Sequence, residues 1–276
     1  MKKRKKPITM VIIIILTLAF CWHQNNWLTV TYYSYGNSKI SQEWDGYRIL
    51  QISDLHNKEF GNNNQKLIRK IKELKPDMIL LTGDLVDSNH TDIEAALSFA
   101  KQAVAICPTY YVTGNHENWL NPKDKTMLLD KLNRLGVRCL QNEVETIEKG
   151  DSHISVIGLK DENLADGTLN DMVSDLQTDK VTIVLAHEPQ YFQKYCESGV
   201  DLVFTGHAHG GQFRLPFVGG VVAPDQGFLP KYTKGQHMEG NTTMIISSGL
   251  GNSVIPLRLF NLPEIVCVDL QSNIKE

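Results

Sequence analysis

The chain has 276 residues, 42 % hydrophobic and 21 % charged, with 20 Gly and 10 Pro. This mix excludes a collagen-like, coiled-coil or disordered chain, and the length suffices to bury a core without disulfides or a structural metal. Five of its 28 Lys and Arg fall in the first six residues, which leaves 23 against 31 acids, a net −8, for the remainder. That balance argues against a broad nucleic-acid surface, whose first mark is a basic patch.

Lys2, Lys3, Arg4, Lys5 and Lys6 precede an uncharged apolar run over 7–22. A basic head before an apolar stretch reads as a secretion or anchoring signal, not a core helix. The run is short of the roughly 20 residues that span a bilayer, and Trp22 and Trp27 can extend it at the far interface. The positive-inside rule sets residues 1–6 in the cytoplasm and the chain after about residue 28 outside. No A-x-A pattern follows, so the segment is expected to remain as an uncleaved signal anchor. Lipid modification of Cys21 is the lesser alternative, because Phe20 stands where a lipoprotein box wants a small residue. Cys107, Cys139, Cys196 and Cys267 show no C-x-x-C spacing and are expected as small buried hydrophobes, although an outside location would permit disulfides. The chain divides into residues 1–26, the basic N-terminus and anchor, and one catalytic-size domain over 27–276.

From Trp27 onward strands and helices alternate. An edge strand is expected over 28–35 and a strand over 47–53. Leu67, Ile68, Ile71 and Leu74 recur at helical spacing over 64–74, and Pro76 stops that helix. Strands follow over 77–82 and 109–113, with a helix over 92–106 between them. A helix over 123–135 ends at Gly136. Short strands are expected over 137–140, 144–147 and 154–159, a helix over 169–176, a buried strand over 181–186, a helix over 191–196 and a strand over 202–205. Strands over 243–247 and 265–270 close an α/β pattern whose apolar strands call for helices on their faces.

Five of these strands end in side chains that bind metals. They are followed by Asp54-Leu55-His56, Gly83-Asp84-Leu85-Val86-Asp87, Gly114-Asn115-His116-Glu117, His187-Glu188, and Gly206-His207-Ala208-His209-Gly210-Gly211. In α/β sheets ligands bind beyond the carboxyl ends of strands, so these groups converge on one rim. Each motif alone is weak, since D-x-H and G-D are common turn compositions. Two His at i and i+2 flanked by Gly are stronger, because Gly permits close approach to a ligand. Five such endings in succession leave chance no reasonable share.

This set resembles the calcineurin-like metallophosphoesterase superfamily, with its blocks D-x-H, G-D-x-x-D, G-N-H-[DE], H and G-H-x-H in order over about 45–270. The local contexts GYRILQISDLH, GHAHGGQFRLP and GLGNSVIPLRLFNLPEI resemble the YaeI/YkuE-like branch. The resemblance implies a four-layer αββα sandwich and two adjacent divalent metals. Asp54, His56 and His209 would bind the first, Asn115, His187 and His207 the second, and Asp84 would bridge both. His116 would face the scissile phosphate as a catalytic group, with Asp87 hydrogen-bonded to it. Mixed imidazole and carboxylate ligands suit Mn²⁺, Fe or Zn²⁺ better than Mg²⁺. The implied reaction is phosphoester hydrolysis by a hydroxide bridging the metals, with proton donation from His116 to the leaving oxygen.

Other residues stay open at this point. Glu117 reads as a group supporting the site or as a solvated loop residue. Gln212 and Arg214 follow the double-His loop and are candidate substrate contacts, Arg214 equally an exposed strand residue. Arg258 can bind a phosphate by its planar fork or form a surface salt bridge. Phe213, Leu215, Pro216, Phe217 and Val218 are either a core strand or an apolar lip for an acyl chain. The branch resemblance leans to a phosphodiesterase, and the anchor makes a phospholipid or lipid-linked envelope precursor the expected substrate. A phosphomonoesterase, a nuclease and a non-catalytic metal-binding scaffold are the alternatives; a scaffold should have lost ligands, and none is missing.

Overall fold

The computed structural model describes residues 5–160, 164–165, 167–253 and 255–272. Residues 2–4 of the basic head lie outside them. α1 (Lys5–Asn26) is 22 residues long, about 33 Å at helical rise, and its stretch from Ile8 to Asn26 is long and apolar enough to cross a membrane. Its last turn is not free. Asn25 Oδ1 accepts from the Arg258 N–H (3.1 Å) and from Asn252 Nδ2 (2.9 Å), and the Phe20 ring meets Phe260 edge-on at 5.8 Å.

The remaining elements form two sheets with helices outside each. In chain order the strands are β1 (Thr29–Asn37), β2 (Arg48–Ile52), β3 (Met78–Thr82), β4 (Thr109–Val112), β5 (Arg138–Cys139), β6 (Glu143–Lys149), β7 (Ser152–Gly158), β8 (Thr182–Leu185) and β9 (Leu202–Thr205). Two small hairpins follow, β10 (Arg214–Leu215) with β11 (Gly219–Gly220) and β12 (Val222–Ala223) with β13 (Gly227–Phe228), then β14 (Gly235–Glu239), β15 (Thr242–Ile246) and β16 (Glu264–Ser272). The first sheet has the order β1-β16-β2-β3-β4-β5 and the second β14-β15-β9-β8-β7-β6. In each sheet the ligand-bearing strands run parallel, β2-β3-β4 in the first and β8-β9 in the second, so their carboxyl ends share one edge.

Three apolar layers account for the stacking. Ile49, Met78, Leu80, Tyr110 and Val266 of the first sheet meet Val156, Ile183, Leu185, Phe204 and Ile245 of the second in one buried cluster. Leu50, Ile52, Ile79 and Leu81 point the other way and are covered by α2 (Gln65–Leu74), α3 (Ile93–Val104) and α5 (Pro122–Leu135). Ile157, Val184, Val203 and Ile246 are covered by α6 (Thr168–Ser174) and α7 (Phe192–Glu197). Strand residues alternate between faces, so a run apolar throughout is buried on both. This is the αββα sandwich expected from the sequence.

Local signals set the helix ends. The Asp92 carboxylate accepts from the Ala95 N–H at the start of α3, and Asn121 with Pro122 opens α5. Gly136, at φ +96°, closes α5. Unanticipated from the sequence are the short α4 (Asn115–Asn118) and, apart from the candidate strand over 213–218, the elements between β9 and β15. The core-strand reading of 213–218 does not hold: only Arg214 and Leu215 are in a strand, while Leu215, Phe217 and Val218 are exposed. All five cysteines are free thiols. Burial pushes those of Cys107 and Cys139 up to about 12, which leaves them unreactive.

Candidate metal centre

Each strand hands its last residues to a tight loop at the shared edge. Asp54, His56, Asp84, His207 and His209 all have φ between +46° and +64°. Left-handed backbone is uncommon outside glycine, and such outliers concentrate at functional sites. Glycines permit the packing between loops: a Cβ on Gly114 would lie 2.3 Å from Asp84 Oδ1, and one on Gly206 2.5 Å from Asp54 Oδ2. The His207 N–H donates to Asp54 Oδ1 (3.0 Å), and the His116 N–H donates to Asp84 Oδ1 (2.9 Å).

The seven residues expected as metal ligands lie together and are buried, apart from the half-buried Asn115. Asp54, His56, Asp84 and His209 form one cluster of ligand atoms, and Asp84, His187 and His207 a second. Asp84 belongs to both, with Oδ2 3.5 Å from His56 Nε2 and 3.3 Å from His187 Nε2. His56 Nε2 and His209 Nε2 face each other at 3.1 Å. Asn115 Oδ1 lies 3.1 Å from His187 Nε2 and 2.9 Å from His207 Nδ1.

The hydrogen bonds around these groups suit a cation. His187 Nδ1 lies 2.7 Å from the Thr82 carbonyl, an acceptor only, so Nδ1 carries the proton. His207 Nε2 lies 2.8 Å from Asp225 Oδ2 and donates to it. That bond holds the Asp225 carboxyl below its ordinary range. The inward atoms of the two rings, His187 Nε2 and His207 Nδ1, face each other 3.2 Å apart. Asn115 Oδ1 and Asp84 Oδ2 add two more acceptors beside them. One added proton could serve a single pair; a divalent cation serves all four. In the other cluster Asp54 Oδ2 is buried with no hydrogen-bond partner. Burial lowers His56 to about 3 and His209 well below its ordinary value, so both rings are neutral donors to a cation.

His116 stands against this pair, its ring 4.5 Å from that of His56. The expected hydrogen bond from Asp87 is absent. Asp87 Oδ1 is 3.7 Å from Nδ1 and accepts instead from the Asn89 N–H. The Ser88 N–H donates to Nδ1 at 3.0 Å, because the chain turns after Asp87 and presents backbone rather than carboxylate. A backbone donor at Nδ1 leaves the proton of the neutral ring on Nε2, which faces Ser253 Oγ at 3.1 Å.

Four further open readings close. Of the two readings of Glu117, support of the site holds and the solvated loop does not: it is fully buried and accepts from the Gly114 (2.7 Å), Asp84 (2.9 Å) and Val86 (3.1 Å) N–H groups, tying the two loops together. Arg258 is neither a substrate contact nor a surface salt bridge. It is 1 % exposed and donates to the carbonyls of Ser248, Gly251 and Asn261 and to Asn252 Oδ1, bracing residues 248–252 against Asn261. Arg214 likewise braces its own loop through Gly210 O and Thr233 Oγ1. Gln212 spends its amide N–H groups on the Ile255 and Leu257 carbonyls. It does line an apolar cavity of about 200 Å³ beside His209, with Val222, Ala223, Pro224, Ser253 and Ile255. Asp225 and Ser253 were not singled out from the sequence. The one available signal was Asp225 as the sole charge between Arg214 and Lys231.

Comparison with known proteins supports the same reading. The family model described as calcineurin-like phosphoesterase matches residues 47–211. The uncharacterized metallophosphoesterase YkuE of Bacillus subtilis is 30 % identical over 250 residues, covering 89 % of this chain and 86 % of YkuE. The phosphodiesterase YaeI of Escherichia coli is 29 % identical over 227 residues, covering 81 % and 82 %. The sulfate thiohydrolase SoxB of Thermus thermophilus matches with a TM-score of 0.53 at 12 % identity, over 83 % of this chain and 57 % of SoxB, a likeness of fold alone. With its five motif blocks in order and their side chains gathered at one sheet edge, the chain belongs to the calcineurin-like phosphoesterase family of dinuclear metal-dependent enzymes.

Proposed function

We propose that this chain is a phosphodiesterase that holds two divalent metals and acts at the outer face of a membrane. The observation that carries the reading is Asp84 Oδ2, common to two clusters of nitrogen and oxygen ligand atoms. Asp54, His56, His209 and Asp84 would hold one ion, and Asn115, His187, His207 and Asp84 the other. The donor set suits Mn²⁺, Fe or Zn²⁺. Bound there, the ions supply Lewis acidity toward phosphate oxygens and a water acidic enough to attack near neutral pH.

The chain's own groups do the rest. His116 carries its proton on Nε2, held in that tautomer by the Ser88 N–H, and donates it to the leaving oxygen. Ser253 Oγ, within hydrogen-bond distance of that nitrogen, holds the ring in line until substrate displaces it. Asp225 fixes the tautomer of His207 from behind, and Glu117 keeps the Asp84 and Asn115 loops in register.

A diester is favoured over a monoester by the apolar cavity at His209, which suits a second, uncharged substituent on phosphorus. The name of YaeI points the same way. The net charge of −8 after residue 6 weighs against a nuclease. α1 with its basic head supports an uncleaved anchor with the catalytic domain outside. A phospholipid or lipid-linked envelope precursor is then the substrate within reach.

The test is hydrolysis of bis-p-nitrophenyl phosphate against p-nitrophenyl phosphate by the full-length chain in detergent, loaded with Mn²⁺, with Asp84→Asn as control. Metal-dependent activity favouring the diester and lost in the control supports the reading. Preference for the monoester refutes the diesterase, and two bound metals with neither activity revives the scaffold.

A further inference from the structure

We propose that a second surface, apart from α1, enters the bilayer: an apolar rim built from residues 215–229 and 255–260. This rests on the anchor reading above and adds to it an interaction surface whose partner is the lipid itself.

Phe217 is fully exposed and Phe228 74 % exposed, and Leu215, Val218, Leu229 and Phe260 are exposed beside them. Exposed apolar residues scattered singly need no explanation, but a contiguous set marks an interaction site. These are contiguous through the backbone. Val222 pairs with Phe228 across a hairpin, and the Leu229 N–H donates to Val221 O. The Arg214 N–H donates to Leu259 O, which joins the first hairpin to the 255–260 loop. The one charge between Arg214 and Lys231, Asp225, is 62 % exposed and is engaged by His207 at the inner margin of the rim.

Phe217 sits at the tip of a turn closed by the Val218 N–H on Leu215 O, at φ +65°. A bulky residue in left-handed backbone is unusual, and a ring left in water gains nothing in return. Entry of the ring into lipid supplies that return.

Continuity with α1 identifies the occupant as a bilayer rather than a protein. The side chains of α1 from Ile8 to Leu16 are half to two-thirds exposed wherever they are large and apolar. The helix leaves the body from the loop that carries the rim: Phe20 packs on Phe260, and Asn25 bonds to Asn252 and to the Arg258 backbone. A membrane that holds α1 therefore meets Phe260 first and the Leu215–Val218 turn next. Val222 and Ile255 also line the cavity at His209. The metal centre thus opens at the rim, where a phosphoester in the headgroup plane reaches it without leaving the membrane.

The experiment uses the full-length chain bound to phosphatidylethanolamine–phosphatidylglycerol vesicles with or without brominated acyl chains. Tryptophan is added by Phe217→Trp or Phe228→Trp. Asp151→Trp, on the β6–β7 turn at the end of the sheet opposite the ligands, is the control. An amphipathic surface lies about 5–10 Å into the headgroup–acyl boundary, so bromolipid is expected to quench the fluorescence added at 217 and 228 about twofold and leave that at 151 unchanged. A vesicle-bound chain with no extra quenching at 217 and 228 overturns the rim and leaves the anchor standing. A chain left in the supernatant overturns both. Hydrolysis of bis-p-nitrophenyl phosphate in the same samples reports separately on the phosphodiesterase reading.

Discussion

Glu117→Gln keeps the side-chain volume and removes one acceptor. The carboxylate takes two backbone N–H groups on Oε2, from Gly114 and Asp84, and one on Oε1, from Val86. Glutamine has a single oxygen, so its NH₂ must face at least one of these donors. In the better orientation the oxygen keeps Gly114 and Asp84 and the Val86 N–H is left buried and unpaired. A hydrogen bond to a charged acceptor contributes about 1.5–3 kcal/mol and an unpaired buried donor costs about 1–3 kcal/mol, so a net loss of about 2–4 kcal/mol is expected. At about 2–4 °C per kcal/mol for a chain of this size, Tm falls by roughly 5–15 °C. Thermal unfolding followed by circular dichroism in EDTA reads this without a contribution from metal loss. A shift below about 2 °C would refute the reasoning. Burial and the Asp84 charge push Glu117 up to about 7, against its three N–H donors. A neutral Glu117→Gln would mean that the proton wins and that the clamp is a carboxylic acid.

His116→Ala is expected to retain both metals by elemental analysis and to lower kcat roughly 10²–10⁴-fold; equal loss of metal would remove its assigned role. Asp84→Asn is expected to drop metal content below two per chain. Changes in outer-shell partners already cost about 10–100-fold in affinity, and a shared ligand costs more. An undiminished stoichiometry would show that Asp84 does not bridge. Glu264 accepts from Ser248 N–H and Oγ and pairs with Lys234, which together hold its buried carboxyl below the ordinary 4.5. A depressed carboxyl stabilises the fold above its unfolded value, and that contribution is lost as pH falls through the folded one. Glu264→Gln should therefore be less stable at pH 7 and lose less between pH 5 and 3; parallel stability curves for the two proteins would contradict this.

Most of the ligand set was legible because its signal is local. An apolar strand followed at once by Asp, His or Asn states where the side chain lies, since strand ends are where α/β sheets present ligands. The supporting residues were not legible, because each works through a distant segment. Glu117 looks like any loop acid until the turn after β3 closes over it, and Arg258 reads as a cation for phosphate until carbonyls up to ten residues away surround it. The Asp87–His116 bond failed for a related reason: a turn of one residue exchanges a side-chain acceptor for a backbone donor.

The sequence by itself determined most of the alternation of strands and helices, the apolar N-terminal segment and the seven side chains that converge at the sheet edge. Periodicity and strand-end chemistry depend only on neighbouring residues. The tertiary structure alone decided which sheet each strand joined, that Asp84 stands between two clusters, and which protons the histidines carry. It also decided that Leu215, Phe217, Val218, Phe228 and Leu229 are exposed, where a core strand over 213–218 was an open reading. Those outcomes depend on groups far apart in the chain, and burial, pairing and exposure exist only once they meet.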